Sequence, residues 1–250
     1  YEWELPCESR TKVAWEARGP IHERNLFRGV MKRELKVCWI SAGVSSFIAG
    51  YLERDTIDEF IYIDIDNQHP DSMRFIKDCE RVLRKQIKIL KSNYCSVENV
   101  IRQFRYVNGV NGAKCTQVLK RRVRKEWEYL HQDCNLIYVW GYDLSEQKRA
   151  ERLDESDLNI KNQYPLVERG LTKANAHAML RDLGIRRPQM YDMGYSNNNC
   201  IGCVKGGMGY WNKIRVDFPE VFYRMAALER EVGHSCIKGV FLDELDPNAG

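Results

Sequence analysis
Apolar and polar positions fall in blocks along this chain, and the period of the blocks changes. Val37-Cys-Trp-Ile40 is a short apolar run closed by Ser41, so Leu35–Ile40 reads as a buried strand. The small residues Ser41-Ala-Gly-Val-Ser-Ser46 then make a tight turn, and Ser46–Glu53 reads as the first helix. Glu59–Ile65 is β-rich and reads as a second buried strand. Over Asp71–Leu83, Met73, Phe75, Ile76, Cys79, Val82 and Leu83 recur at helical spacing. Gln86–Leu90 is a third strand, Ser96–Phe104 and Thr116–Leu130 are helical, and Asn135–Trp140 is a fourth strand ending at Gly141. Asn162–Val167 reads as a loop and Thr172–Leu183 as a helix capped by Thr172. Beyond Pro188, a loop rich in Gly, Asn and Cys leads to a helix over Asp217–Glu231, entered through Pro219. Residues 1–30 show no clear period and read as an N-terminal arm of unknown role, ahead of an α/β domain over residues 31–250. Strands alternating with helices predict a mostly parallel sheet with helices on both faces.

Composition narrows the chemistry. At 250 residues, 44% hydrophobic and 30% charged, the chain is long and apolar enough for a packed core. A net charge of +4 is too mild to require nucleic acid and suits an anionic small molecule. The nine cysteines are not evenly paired, and neither a secretory pattern nor a bilayer-spanning apolar run is present. Those features predict a cytoplasmic setting without membrane partners, with free thiols and a few possible metal ligands.

Ligands of parallel sheets bind outside the carboxyl ends of the strands. Three strand ends carry chemistry: Ser41–Ser46, Asp64–His69 and Gly141–Arg149. At the first, the free N–H groups of a helix start and small residues suit a phosphate. At the second, Asp64 and Asp66 either accept from ribose hydroxyls or an adenine amine, or Asp66 and Asn67 simply make a turn. At the third, Gly141 permits close approach, and Arg149 either forks onto a phosphate or sulfate or pairs with Glu146 at i,i+3. The basic run Lys120–Lys125 is a solvated helix face or a nucleic-acid patch, with Lys120 the candidate anion contact. Cys200-Ile-Gly-Cys203 is either half of a metal site, with Cys115 as the third candidate ligand, or a redox dithiol.

With these segments in hand, the chain resembles a known family. Ser41-Ala-Gly-Val-Ser-Ser46 is similar to the PP-loop, S-G-G-x-D-S in its common form, of the adenine nucleotide alpha-hydrolase superfamily. Within it the chain looks most like the phosphoadenosine phosphosulfate (PAPS) reductase family, including its phage-encoded branch. Tyr62–Phe75, Lys114–Lys120, Gly141–Arg149, Tyr164–Leu166 and the Cys200/Cys203 loop follow in the family's order, over roughly residues 35–225. The resemblance implies a Rossmann-like α/β fold with a five-stranded core. It implies that Ser41, Ala42, Gly43, Val44, Ser45 and Ser46 hold ATP, with magnesium, or PAPS. Asp64, Asp66 and Gly141 would lie near the nucleotide, and Ser45, Lys120 and Arg149 would carry the chemistry. Cys115, Cys200 and Cys203 fall where related enzymes place iron–sulfur cysteines, zinc being the alternative.

Three departures matter. Ala42 and Ser45 replace a Gly and the Asp of the motif, and Lys114 stands where a second adjacent cysteine would be. No E-C-G-[IL]-H motif occurs near the C-terminus, and Cys236 is a poor substitute for its nucleophile. The implied function is therefore adenylylation of an acceptor with pyrophosphate release, followed by sulfur transfer. A nucleic acid is one candidate acceptor, and a sulfur-donor protein is a candidate partner. The alternatives are a thiol-dependent PAPS reductase and a non-catalytic nucleotide-binding module with structural zinc.

Overall fold
The computed structural model describes residues 32–109, 112–156 and 160–250. The expected arm over residues 1–30 lies outside the described residues. Elements follow in the order β1 (Arg33–Ile40), α1 (Val44–Leu52), β2 (Glu59–Asp64), α2 (Asp71–Leu83), β3 (Ile87–Lys91) and α3 (Val97–Phe104). A π-helical segment, Thr116–Arg122, runs into α4 (Val123–Leu130) and then β4 (Cys134–Val139). The rest is α5 (Gln147–Ser156), β5 (Lys161–Gln163), α6 (Pro165–Glu168), α7 (Lys173–Asp182), α8 (Gln189–Asp192), α9 (Met208–Asp217) and α10 (Pro219–Val232).

The five strands form one sheet in the order β3-β2-β1-β4-β5, and every neighbouring pair is parallel. Cys38 of β1 pairs with Phe60 on one side and Val139 on the other. The chain winds outward through β2 and β3, then returns to the far side of β1 as β4. β1 and β4 therefore flank the point where strand order reverses, which is where such sheets leave a crevice at their carboxyl ends.

Alternation along the strands separates two cores. Cys38, Ile40, Phe60, Tyr62 and Val139 face α1, α2 and α7 through Phe47, Ile48, Phe75, Ile76, Ala176 and Leu180. Leu35, Val37, Trp39, Ile61 and Tyr138 face the other way and are covered by Trp127 of α4. Trp39 meets Trp127 and Tyr138 edge-on at 5.6 and 5.7 Å, and burying each such ring contributes about 1.5–3 kcal/mol. A third core lies beside the sheet, where α3, the π-helical segment, α9, α10 and the C-terminal residues pack around Trp211, Phe222, Val100 and Leu119.

Several elements differ from expectation, each for a local reason. Asn162–Val167, expected as a loop, contains the end of β5 and all but the last residue of α6. β5 is a polar three-residue edge strand held by backbone pairing to β4, so it shows no apolar period. The helix expected over Thr116–Leu130 starts with a π-helical segment, a variation that hydrophobic spacing does not distinguish. The long loop expected after Pro188 contains α8 and α9; α9 buries only Trp211 and Ile214, too few positions to stand out beside so many glycines. By contrast α2 has the expected bounds, and Thr172 caps α7 in a reciprocal capping box with Asn175.

Candidate functional site
The turn after β1 closes on itself through serine hydroxyls. Ser46 is buried, its hydroxyl donates to the Gly43 carbonyl at 2.9 Å and accepts from the Ser41 N–H at 3.0 Å. With that proton committed, the 3.0 Å contact between the two hydroxyls has Ser41 as donor. α1 begins at Val44, two residues earlier than expected, with Gly43 in extended conformation at its N-cap and no side chain capping it. The Val44 N–H donates to the Tyr191 hydroxyl at 3.4 Å. Ser45 is half-buried in the first turn, a position from which its N–H and hydroxyl can meet an anion.

Gly141 fixes what lies opposite. A Cβ built on it would stand 2.2 Å from Ser46 Cα, 2.4 Å from Ser46 N and 2.8 Å from Ser45 C. The end of β4 thus lies backbone to backbone against the start of α1, and only glycine fits. Ala42 adopts φ +56°, a left-handed conformation at the position where the motif has glycine. It is fully buried, and its carbonyl accepts from Asn198 Nδ2 at 2.8 Å. Asn198 also reaches Ser72 at 3.0 Å, while its Oδ1 is buried without a partner among the described residues.

Tyr191 and Asn198 come from α8 and the segment after it. Around Tyr191 stand the ring of His177, edge-on at 4.8 Å, and Lys173, whose ammonium lies 5.7 Å from the Tyr191 ring centroid. Burial, reinforced by Arg187 and Lys173, lowers the His177 pKa. Asp71 anchors this segment from α2 by accepting from Gln189 N at 2.9 Å and Arg186 at 3.1 Å. A bidentate contact with Arg74, assisted by those partners, holds the Asp71 carboxyl down at about 2. None of these residues was singled out by sequence reasoning. The one available signal was the cluster of polar residues between Pro188 and Asn199.

The other expected site residues divide. Asp64 and Asp66 are both held by Lys91 at the end of β3, Asp64 at 3.4 Å, so neither carboxylate stands free. Arg149 is exposed, pairs with Glu146 at 2.7 Å and lies over the Tyr142 ring, as the i,i+3 alternative has it. The basic run is largely a salt-bridged helix face: Arg122 pairs with Glu126, and Arg124 and Lys125 with Glu128. Lys120 is placed instead within electrostatic reach of the Cys115 and Cys200 thiols.

Cys115, Cys200 and Cys203 are free and half-buried, and their thiols interact electrostatically. Burial pushes Cys200 up to about 11 against the lowering pull of Lys120. The Cys200–Cys203 turn is clamped by Tyr210, whose hydroxyl accepts from Cys203 N at 2.9 Å and donates to the Cys200 carbonyl at 3.0 Å. Gly202, at φ +72°, lets the turn sit on α10, since a Cβ would meet Val221 at 2.7 Å. Among the described residues, no group of three or more His, Cys, Asp or Glu side chains is placed to hold a metal ion. Nor is any helix among them long and apolar enough to cross a membrane.

No protein-family model matches the chain, and neither does any curated protein. Among solved structures it is similar to a phosphoadenylyl-sulfate (PAPS) reductase from Candida auris, in a phosphate complex. That likeness has 13% identity and a TM-score of 0.48, over 69% of this chain and 84% of that one. At that identity and score it assigns neither substrate nor residue roles.

Proposed function
We propose that this chain is a PAPS reductase-like PP-loop enzyme that binds the phosphates of an adenine nucleotide between β1 and β4. The observation that carries this reading is the backbone contact of Gly141 with Ser45 and Ser46 at the reversal of strand order. It sets the uncapped start of α1 in the crevice where an α/β sheet takes its ligand. The N–H and hydroxyl of Ser45 would meet a phosphate oxygen. Tyr191 would exchange its contact with Val44 N for one with the ligand. Lys173 and Arg187 would supply positive charge, and magnesium would arrive with the nucleotide. Rate acceleration would come from positioning and charge neutralisation at the phosphorus as an acceptor attacks and pyrophosphate leaves. Sulfur transfer to the activated acceptor is the step that the PP-loop resemblance adds.

Adenylylation is preferred over thiol-dependent reduction because of Cys236. A reductase needs an accessible thiolate. Cys236 is buried, and burial together with Glu229 holds its thiol protonated.

Calorimetric titration with ATP, PAPS and pyrophosphate tests the reading. All three should compete for one site, and Ser45→Ala should weaken each about tenfold, the value of one hydrogen bond to a charged group. Failure of all three to bind would refute it. Binding that is indifferent to Ser45→Ala would move the site off this loop.

A further inference from the structure
We infer that the groove between the end of α3 and the π-helical segment binds single-stranded nucleic acid. One base would stack on its aromatic rings, and the adjoining phosphates would meet Lys114 and Arg121. The groove has a volume of about 270 Å³ and is lined by Phe104, Tyr106, Lys114 and Gln117. None of these residues belongs to the phosphate loop or its surroundings, and none is acidic.

The way α3 ends keeps the rings at the surface. Val97, Val100 and Ile101 are buried in the third core, and Phe104 continues the same helical stripe. The helix stops there, so the ring runs past the core and stays 37% exposed. Arg105 then takes a left-handed conformation at φ +47°, and its guanidinium donates to the Glu231 carbonyl at 2.9 Å. That bond pins the turn that sets Tyr106 beside Phe104 in the groove wall. The Tyr94 ring supports Phe104, tilted by 43° at 5.7 Å, and the Lys114 ammonium lies 4.6 Å from the Phe104 centroid.

The unpaired charge here is of one sign. Arg122 pairs with Glu126, whereas Lys114 and Arg121 have no carboxylate partner among the described residues. Arg121 is exposed, about one turn beyond Gln117 on the π-helical segment. Cations beside an accessible ring suit a single strand, because every base has a face to stack and every phosphate a charge to neutralise. In a duplex those faces are covered by neighbouring base pairs. The groove is also smaller than the clefts of about 300–1,000 Å³ that enclose a whole small ligand, so it takes one ring of a longer molecule. The larger groove at the end of β2 lacks this character, since Asp66 and Glu98 stand there beside Arg102 and Arg224.

The test is fluorescence anisotropy of the full chain with a labelled single-stranded oligonucleotide of about 10 nucleotides, and no other nucleotide present. Ser45→Ala should bind the strand as the wild type does, so the outcome is independent of the phosphate loop. Phe104→Ala should weaken binding on the order of tenfold, the value of one stacked base. Lys114→Ala should weaken it and lower the slope of log affinity against log salt by about 0.7, one phosphate contact. Lys77→Ala, an exposed lysine of α2 outside the groove, should change neither. Should Phe104→Ala fail to fold, Phe104→Leu takes its place, keeping an apolar side chain without a ring to stack on. No binding of the strand at low salt would overturn the inference. So would wild-type affinity in both groove variants, or a loss in Lys77→Ala equal to that in Lys114→Ala. Displacement of the strand by adenosine monophosphate or by a duplex of the same sequence, as readily as by unlabelled strand, would overturn it as well.

Discussion

Replacing Gly141 by alanine adds one methyl group where two backbones meet. Its Cβ would lie 2.2 Å from Ser46 Cα and 2.4 Å from Ser46 N. Carbon atoms rest about 3.5–4.0 Å apart, so the end of β4 and the start of α1 would have to separate by more than 1 Å. No side chain can rotate to absorb this, because the atoms struck are main chain. Overpacking costs about 1–3 kcal/mol where neighbours can yield, and a backbone obstacle places this substitution at about 3 kcal/mol. If the elements separate instead, the loop leaves its place, and a displacement of about 1 Å costs on the order of 100-fold in a positioned reaction. Gly43→Ala is the internal control. Its Cβ would meet first the Ser41 hydroxyl, a rotatable group, at 3.2 Å, and Gly43 already has an extended backbone. Urea unfolding followed by circular dichroism, with nucleotide titration of the folded protein, measures both effects. If Gly141→Ala unfolds within about 0.5 kcal/mol of the wild type and binds nucleotide as tightly, the backbone contact does not define the site.

Two further substitutions test the surroundings of the loop. Ala42→Gly removes a left-handed penalty of about 1–2 kcal/mol, but it also loses a buried methyl worth about 0.8 kcal/mol and adds unfolded-state entropy of about 0.5–1 kcal/mol. The terms nearly cancel, so unfolding free energy should change by less than about 1 kcal/mol, and a loss above about 2 would show that the Ala42 methyl has a role beyond packing. Asp71→Asn should cost about 2 kcal/mol at neutral pH, from a carboxyl held near 2 by Arg74 and its other partners. Because the folded-state value is depressed, that stability is present above about pH 4 and is lost as pH falls toward 2. Wild type and variant should therefore converge in acid, and a gap that stays constant from pH 7 to pH 2.5 would show that the carboxylate charge is not what anchors α8.

The fold was legible where burial sets the period. β1, β2 and β4 are apolar because both their faces are covered, and α2 shows its buried stripe directly. β5 and α9 were hidden because pairing and glycine-rich context, not hydrophobic spacing, define them. For the site, the loop and Gly141 were visible as small residues at strand ends, a local property. For Asp64, Asp66 and Arg149 a ligand role and a structural role both stayed open, because their partners could not be ranked from sequence. Lys91 lies a strand away from the two aspartates, and the Glu146 pairing competed on equal terms with a ligand. Tyr191 and Asn198 stayed invisible for the opposite reason, reaching the loop from about 150 residues downstream.

That long reach makes the two halves of the molecule one device. α8 and the segment that leaves it set Tyr191 and Asn198 against the turn after β1 and, two residues past Asn198, the chain turns through Cys200 into the third core. Two residues of chain span at most about 7 Å between Cα atoms, so the thiol turn cannot move far without pulling on Asn198. Asn67 ties the same turn to the sheet: its carbonyl accepts from Ile201 N at 2.8 Å, and its side chain bonds Val97 N and Glu98. Any shift of the Cys200–Cys203 turn therefore bears on the contact of Asn198 with Ala42, and through it on the turn after β1. The coupling runs through one short segment rather than through the sheet.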